Sequence, residues 1–386
     1  MRIGVDVRCL IEGRRTGVEE YTLGVLRAMV AAAPEDRFVL FANSRAPMRL
    51  PVFSSSNVEM RVFSVPNKLL NLSLKVARYP KLDVLARGVE VFFVPVFRLA
   101  PLSFKCPLVL TVHDLSFVRH PDFFSRKRRL WHALMEPERL ALSARRLIAV
   151  SAATARDAQV LYGVSKDRIS VIPSGIPAAM RPLPDNDPRL LAARQRYGLP
   201  ERFILFLGTL EPRKNLDGLL EAYRVVREAG LPHALVLAGV RGWIPDAFFA
   251  RIGEHPYAAD IKLTGFVEDE DKPAVYRLAE LFVYPSFYEG FGFPPLEALA
   301  CGTPVVTSFN SAIPEIVGGF GTALVNPYDP EELAAVIIER LREHLGVAPE
   351  VSANTREMYS WERAGSETLR VLRDAAMGKE RHENRH

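Results

Sequence analysis

The sequence predicts an α/β protein built from two doubly wound parallel sheets, and three observations carry that prediction. Short continuous apolar runs, such as Val91-Phe92-Phe93-Val94 and Leu108-Val109-Leu110-Thr111-Val112, have the character of strands buried on both faces. Stretches of helical periodicity separate such runs, and alternating strand and helix builds parallel sheets. The alternation breaks in a proline-rich stretch near the middle and then restarts, in a chain of 386 residues that exceeds what one core usually serves.

In the first half the strand candidates are 2–6, 37–42, 91–94, 108–112 and 147–150. Between the first two lies a helix from Tyr21 to Ala32, with Leu23, Leu26 and Val30 near helical spacing. The turn-rich segments Ile172–Pro177 and Arg181–Pro188 mark the domain boundary. The second half then offers strand 203–207, helix 215–229, strands 234–238 and 261–264, helix 271–279, strand 281–284, a turn and helix over Glu289–Cys301, and strand 304–307. A last helix spans Trp361 to Ala376, followed by a charged tail, Gly378–His386, expected to fray. The expected division is a first domain over 1–180, a second over 181–360, and a terminal helix and tail over 361–386.

Hydrophobic residues at 48% and charged residues at 25% describe an ordinary globular protein. Cys9, Cys106 and Cys301 lie far apart with no C-x-x-C pair, which argues against a disulfide framework or zinc site and fits a reducing compartment. The N-terminus reads as a first strand, and no apolar run reaches eighteen residues, so a cytoplasmic protein is expected. The net charge of +5 is uneven: residues 1–180 hold 27 basic against 15 acidic side chains, while the remainder has a net charge of −7. The densest cluster, Arg126, Lys127, Arg128 and Arg129, precedes Leu130, Trp131, Leu134 and Met135. That pattern suits a helix on an anionic membrane surface, and rather better an amphipathic helix lying on the sheet with a solvated basic face. Nucleic acid is a poor partner, because no aromatic-basic platform or known module accompanies the charge.

The most informative segment is Tyr284-Pro-Ser-Phe-Tyr-Glu289-Gly-Phe-Gly-Phe-Pro-Pro-Leu-Glu297. It leaves an apolar strand and enters a short helix whose first turn accommodates Pro294 and Pro295. Amides of Gly290, Phe291 and Gly292 can face an anion at the helix N-terminus, and Glu289 and Glu297 can accept hydrogen bonds from vicinal hydroxyls. In Phe203–Asn215 a strand ends in Gly208-Thr-Leu-Glu-Pro-Arg213-Lys214-Asn215. Two adjacent cations at the carboxyl edge of a strand suit a diphosphate. His113 follows the strand of Thr111-Val-His-Asp-Leu115. On physics alone a structural histidine is the commoner case. Gly17, in Arg15-Thr16-Gly17-Val18, opens the first helix without a G-x-G-x-x-G fingerprint, and a tight turn explains it nearly as well as a ligand. Glu268–Asp271 is an acidic run at a helix start, where it complements the dipole. No D-x-D motif stands elsewhere, so metal-independent chemistry is expected.

Together these motifs resemble the retaining glycosyltransferases of family 4, and the E-x7-E block with its internal G-F-G-x-P-P is the most specific part. Support runs along nearly the whole chain: the Gly17 loop, T-V-H-D-L-S, Val171-Ile-Pro-Ser174-Gly175, P-R-K-N and E-x7-E. Ser174 replaces the usual Asn, and Thr209 stands where many members carry Arg, with Arg213 supplying the guanidinium in a variant known within the family. The resemblance implies two facing Rossmann-like domains with a deep cleft, the B-type glycosyltransferase fold, and a C-terminal helix crossing back onto the first domain. It implies that His113 reaches the donor sugar, that Arg213 and Lys214 bind the pyrophosphate, and that Gly17 lies beside the donor phosphates. The nucleobase falls near the Val267 backbone. Glu297 takes the ribose hydroxyls and Glu289 holds the sugar near its reacting carbon. Retention through a Glu289 covalent intermediate or through same-face attack both stay open, with the resemblance favouring the second. The combination T-V-H-D-L-S with P-R-K-N resembles the GDP-mannose-dependent mannosyltransferases, whose acceptors are glycans or lipid-linked glycans and which need no further cofactor. A UDP-sugar transferase, a UDP-sugar epimerase and a catalytically silent sugar-nucleotide-binding protein are the alternatives on the same fold.

Overall fold

The computed structural model describes residues 1–11, 17–44, 55–344 and 346–378. The chain divides into two compact units. The first comprises Met1–Val118, Arg126–Gly175 and the chain from Tyr359 onward; the second comprises Arg119–Ser125 and Ile176–Met358. The passage into the second unit therefore falls between Gly175 and Ile176, inside the turn-rich stretch, and Lys379–His386 of the charged tail lie outside the described residues.

The first unit is built on seven parallel strands: β1 (Arg2–Asp6), β2 (Arg37–Asn43), β3 (Val58–Phe63), β4 (Val91–Val94), β5 (Leu108–Val112), β6 (Arg146–Ala149) and β7 (Ile169–Val171). Their order is β3-β2-β1-β4-β5-β6-β7, with Gly4 of β1 in register with Val39 on one side and Phe92 on the other. Every residue of β4 and β5 is buried, as continuous apolar runs require.

The helix Trp361–Met377 packs on the helix Gly17–Ala32, so the chain's end completes the first unit as the family resemblance implied. Ser360 caps that last helix by accepting from the Arg363 amide. Two glycines set the closeness of this packing. A Cβ on Gly24 would fall 2.3 Å from the Trp361 indole, and a Cβ on Gly175 would fall 2.3 Å from the Trp361 backbone nitrogen.

The second unit carries six parallel strands: β8 (Phe203–Leu207), β9 (Ala234–Ala238), β10 (Ile261–Gly265), β11 (Leu281–Tyr284), β12 (Val305–Ser308) and β13 (Ala323–Val325). Their order is β10-β9-β8-β11-β12-β13. In both sheets the direction of winding reverses beside the unit's first strand, between β1 and β4 and between β8 and β11. Open α/β sheets bind ligands at the carboxyl ends of strands around such a reversal. The short segment Arg119–Ser125 lies on the second unit, where Phe123 stacks on Phe287 with centroids 5.6 Å apart and its carbonyl accepts from Trp243 Nε1 at 2.6 Å.

Three strands escaped the sequence reading, and all three are sheet edges: β3 and β7 in the first sheet, β13 in the second. An edge strand packs on fewer neighbours and needs no continuous apolar run. In β3 the residues alternate between half-buried and exposed, with Met60 and Val62 facing solvent. No helix among the described residues is long and apolar enough to cross a membrane.

Candidate active site

Strand β8 ends at Leu207 and the chain runs through Glu211 into a 3-10 turn at Pro212–Lys214, while neighbouring β11 ends at Tyr284 and leads through Glu289 into the helix Phe293–Ala300. The two segments meet at the reversal of the second sheet. The Phe287 amide donates to the Arg213 carbonyl at 2.8 Å, fixing one loop against the other.

On this scaffold Glu289 stands between two cations. Its Oε2 accepts from Arg213 Nη1 at 2.8 Å, and its Oε1 accepts from Lys214 Nζ at 2.6 Å and from the Ser286 hydroxyl. Arg213 also donates to the Tyr288 carbonyl at 3.0 Å and pairs through Nε with Glu211. Lys214 donates to the Tyr284 hydroxyl and lies 4.8 Å from that ring's centroid. Glu289, Glu211 and Lys214 are all buried. Burial alone would raise the Glu289 carboxyl, but the Arg213 and Lys214 charges outweigh it and hold the group down at about 2. Burial and the neighbouring guanidinium pull the Lys214 ammonium below its usual range, against the opposing pull of Glu289 and Glu211.

Glu297 does not join this cluster. It sits buried on the following helix, where its Oε2 accepts from the Tyr276 hydroxyl at 2.8 Å and its Oε1 takes no hydrogen bond among the described residues. Gly292 caps the helix at φ 104°, a left-handed conformation that glycine adopts without strain. Pro294 and Pro295 remove two amides from the first turn, so donors at this end come from Phe293 and the residues before it. Phe291 is buried, with its ring edge-on to Phe293 at 5.0 Å. Val267 lies just past β10, is buried, and precedes Glu268, whose amide donates to the Tyr197 hydroxyl at 3.1 Å.

In the first unit His113 follows β5. Its Nε2 is 2.8 Å from the Pro95 carbonyl, which only accepts, so Nε2 carries the proton and Nδ1 is the ring's acceptor. Tyr21 meets the imidazole edge-on at 4.7 Å, and burial pulls its pKa down, keeping the ring neutral. Asp114 accepts from the amide and hydroxyl of Ser116 at 2.9 and 2.6 Å and so orients the loop. Gly17 is the exposed first residue of its helix; Arg15 and Thr16 before it lie outside the described residues.

The acidic run is engaged by cations and a phenol. Asp271 accepts from Arg196 at 2.9 Å and from Tyr197 at 2.7 Å, and Asp269 pairs with Lys272 at 2.8 Å. Among the described residues no group of three His, Cys, Asp or Glu side chains is arranged to hold a metal. The basic cluster forms the helix Arg126–Leu134, which buries no residue. Leu130, Trp131 and Leu134 are exposed beside the four cations, whereas Met135 just past the helix packs against the unit's core. Sequence reasoning missed Glu211, Tyr276, Tyr284 and Ser286. Glu211 left one signal: it lies two residues before Arg213 and three before Lys214.

Residues 15–179 match the family model described as Glycosyltransferase Family 4, and residues 192–358 match glycosyl transferases group 1. The chain is 33% identical over 269 residues to the O-antigen chain mannosyltransferase B of Escherichia coli, covering 69% of this chain and 70% of that one. It is 29% identical over 293 residues to an MMP alpha-(1->4)-mannosyltransferase of Mycolicibacterium hassiacum, covering 72% and 67%. In fold it is similar to a sucrose-phosphate synthase from Thermosynechococcus elongatus, with a TM-score of 0.74 over 97% of this chain and 98% of that one at 22% identity. Motifs, sheet order and relatives agree, and the chain belongs to the family 4 glycosyltransferases, on their two-domain α/β fold.

Proposed function

We propose that this glycosyltransferase is a retaining, metal-independent mannosyltransferase that moves a mannosyl group from GDP-mannose to a glycan or lipid-linked glycan. The observation that carries the reading is the Arg213–Glu289–Lys214 cluster at the reversal of the second sheet. Cleavage of the sugar C1–O bond builds negative charge on the leaving diphosphate through an oxocarbenium-like transition state. Arg213 and Lys214 are the cations at that edge, and the amides of Gly290, Phe291 and Gly292 add the positive end of a helix. Removing one such preorganised contact typically costs roughly 2.7–4 kcal/mol of barrier.

Glu289 stays ionised at neutral pH and is no general acid. Held by two cations at 2.6 and 2.8 Å, its carboxylate is a damped nucleophile. That favours same-face attack, with the leaving phosphate taking the acceptor proton, over a covalent glycosyl-enzyme. Glu289 instead orients the cations and the sugar hydroxyls. Glu297 Oε1 takes the ribose hydroxyls, Val267 borders the base through its backbone, Gly17 approaches the donor phosphates, and neutral His113 accepts a sugar hydroxyl at Nδ1. The mannosyl assignment rests on the named activities of the two relatives. The acceptor reaches the enzyme at the inner face of the cell membrane, with Arg126, Lys127, Arg128 and Arg129 on anionic lipid.

A thermal-shift panel of GDP-, UDP- and ADP-sugars in EDTA tests the donor. A GDP-sugar at about 100 times its dissociation constant should add roughly 2.7 kcal/mol. A response confined to UDP-sugars, or one lost in EDTA, overturns the donor or the metal-free reading. Release of free sugar and UDP without acceptor would identify an epimerase.

A further inference from the structure

The first unit contains a cavity of about 680 Å³ at the opposite edge of its sheet from His113. Leu108, the first residue of β5, lines it, and so does Arg145 immediately before β6, whereas His113 follows the last residue of β5. Five strand residues, roughly 3.3 Å each, separate the two ends. The cavity is therefore apart from the edge that carries His113.

Its floor is apolar: Leu74, Leu99, Leu102, Leu108, Met135 and Leu140, continuous with the unit's core. Its rim is cationic: Lys75, Arg78, Lys81, Lys105, Arg139 and Arg145. The single acidic side chain lining it, Glu136, pairs with Arg78 at 3.8 Å and Arg139 at 3.7 Å. Lys75, Lys81 and Lys105 make no ion pair among the described residues. Buried Asp83 pins the wall by accepting from the Ser103 amide at 2.8 Å, and the next residue, Phe104, stands fully exposed at the mouth. Leu72, Val76, Tyr79 and Val84, on the segments that also carry the lining residues Leu74, Lys75, Arg78 and Lys81, are exposed as well. The chain's own tail is a poor occupant. Gly378 abuts Arg145, but residues 379–386 read Lys-Glu-Arg-His-Glu-Asn-Arg-His and hold no aliphatic side chain to cover an apolar floor.

We propose that this cavity binds one anionic phospholipid, its chain on the apolar floor and its phosphate on Lys75, Lys81 and Lys105, with Phe104 entering the bilayer beside it. The charge complementarity selects an anionic headgroup, and the apolar floor selects a lipid over a free phosphate. The site is independent of the donor chemistry, and no residue of the helix Arg126–Leu134 itself lines it.

The test uses the full chain and monomeric dioctanoyl phosphatidylglycerol, with dioctanoyl phosphatidylcholine and inorganic phosphate as comparison ligands, read by calorimetry and native mass spectrometry. One phosphatidylglycerol should bind, at least tenfold more tightly than either comparison ligand. The combined Lys75→Gln, Lys81→Gln and Lys105→Gln variant should bind it about 100-fold more weakly at low salt. Leu102→Trp, which fills the floor, should lose it while keeping the thermal shift with nucleotide sugar. If Leu102→Trp fails to fold, the lysine variant decides alone. Equal binding of phosphatidylcholine, phosphate binding as tight as lipid, or binding unchanged by the lysine variant overturns the proposal, and none of these outcomes touches the donor assignment.

Discussion

Lys214 and Glu289 are 75 residues apart in sequence and meet at 2.6 Å in the interior of the second unit, each carrying a charge that the other makes tolerable. Arg213 and Glu211 extend the pair into a cluster of two cations and two carboxylates. Removing one member of a buried network strands its partner, which typically costs about 3–5 kcal/mol. A diphosphate arriving at this edge meets cations already aligned by carboxylates, and their geometry does not have to be assembled at the moment of reaction.

Acid should expose the pairing. The folded Glu289 carboxyl is held at about 2 against a usual value near 4.5, so its contribution to stability is fully present above about pH 4.5 and is lost as pH falls toward 2. The shift corresponds to roughly 3 kcal/mol. Urea unfolding between pH 7 and pH 3 should show wild type losing more stability than Glu289→Gln over that window. Parallel pH curves for the two proteins would mean that Glu289 carries no such shift.

The two glutamates of the E-x7-E block should separate by function. Glu297→Gln keeps the volume beside Tyr276 and removes the charge that on the proposed reading accepts ribose hydroxyls, so nucleoside diphosphate affinity should fall about 10- to 150-fold, the equivalent of roughly 1.5–3 kcal/mol for a charged hydrogen bond. Glu289→Gln should lower kcat more than that affinity. Calorimetric affinities and kcat values in the reverse order would exchange the roles.

His113→Ala should reduce transfer by two or more orders of magnitude while GDP affinity stays within a factor of about two, because Arg213 and Lys214, which on the proposed reading hold the diphosphate, are on the other unit. Burial lowers the His113 pKa, so the neutral ring persists below pH 6.5. The kcat/KM profile of wild type should stay level from pH 8 through 6.5 and decline only below it. Normal turnover by His113→Ala would return the residue to a purely packing role against Tyr21.

Sedimentation with liposomes tests the exposed helix Arg126–Leu134. Wild type should bind vesicles containing anionic lipid, release as salt shortens the Debye length to roughly 3 Å near 1 M, and ignore neutral vesicles. Changing Arg126, Lys127, Arg128 and Arg129 to Ser should weaken that binding, each cation contributing about 1 kcal/mol. Wild type remaining in the supernatant with anionic vesicles would make this helix a solvated face and a soluble glycan the better acceptor.

Central strands were legible because burial on both faces writes itself as unbroken apolar sequence, as in Val91–Val94 and Leu281–Tyr284. The edges β3, β7 and β13 were not, since β3 carries mixed residues and β7 and β13 are only three residues long. Arg213, Lys214 and Glu289 could be placed at one sheet edge from their positions after strands. Their pairing with one another could not, because it depends on β8 and β11 being neighbours, which chain order hides. The proton position on His113 was likewise invisible, being set by the Pro95 carbonyl at the end of a different strand.

Gly175 and Trp361 touch, yet everything from Ile176 to Met358 is threaded between them. The first unit is thus a discontinuous domain whose closing piece is made after the second unit. During synthesis its helix Gly17–Ala32 waits with an uncovered face until Trp361–Met377 has been made, by which point every residue of the second unit, ending at Met358, is already present. The unit whose strands are made first is therefore the unit whose last helix is made second. A chain cut short near residue 358 should leave a well-formed second unit tethered to an incomplete first one, a species prone to capture by chaperones and proteases.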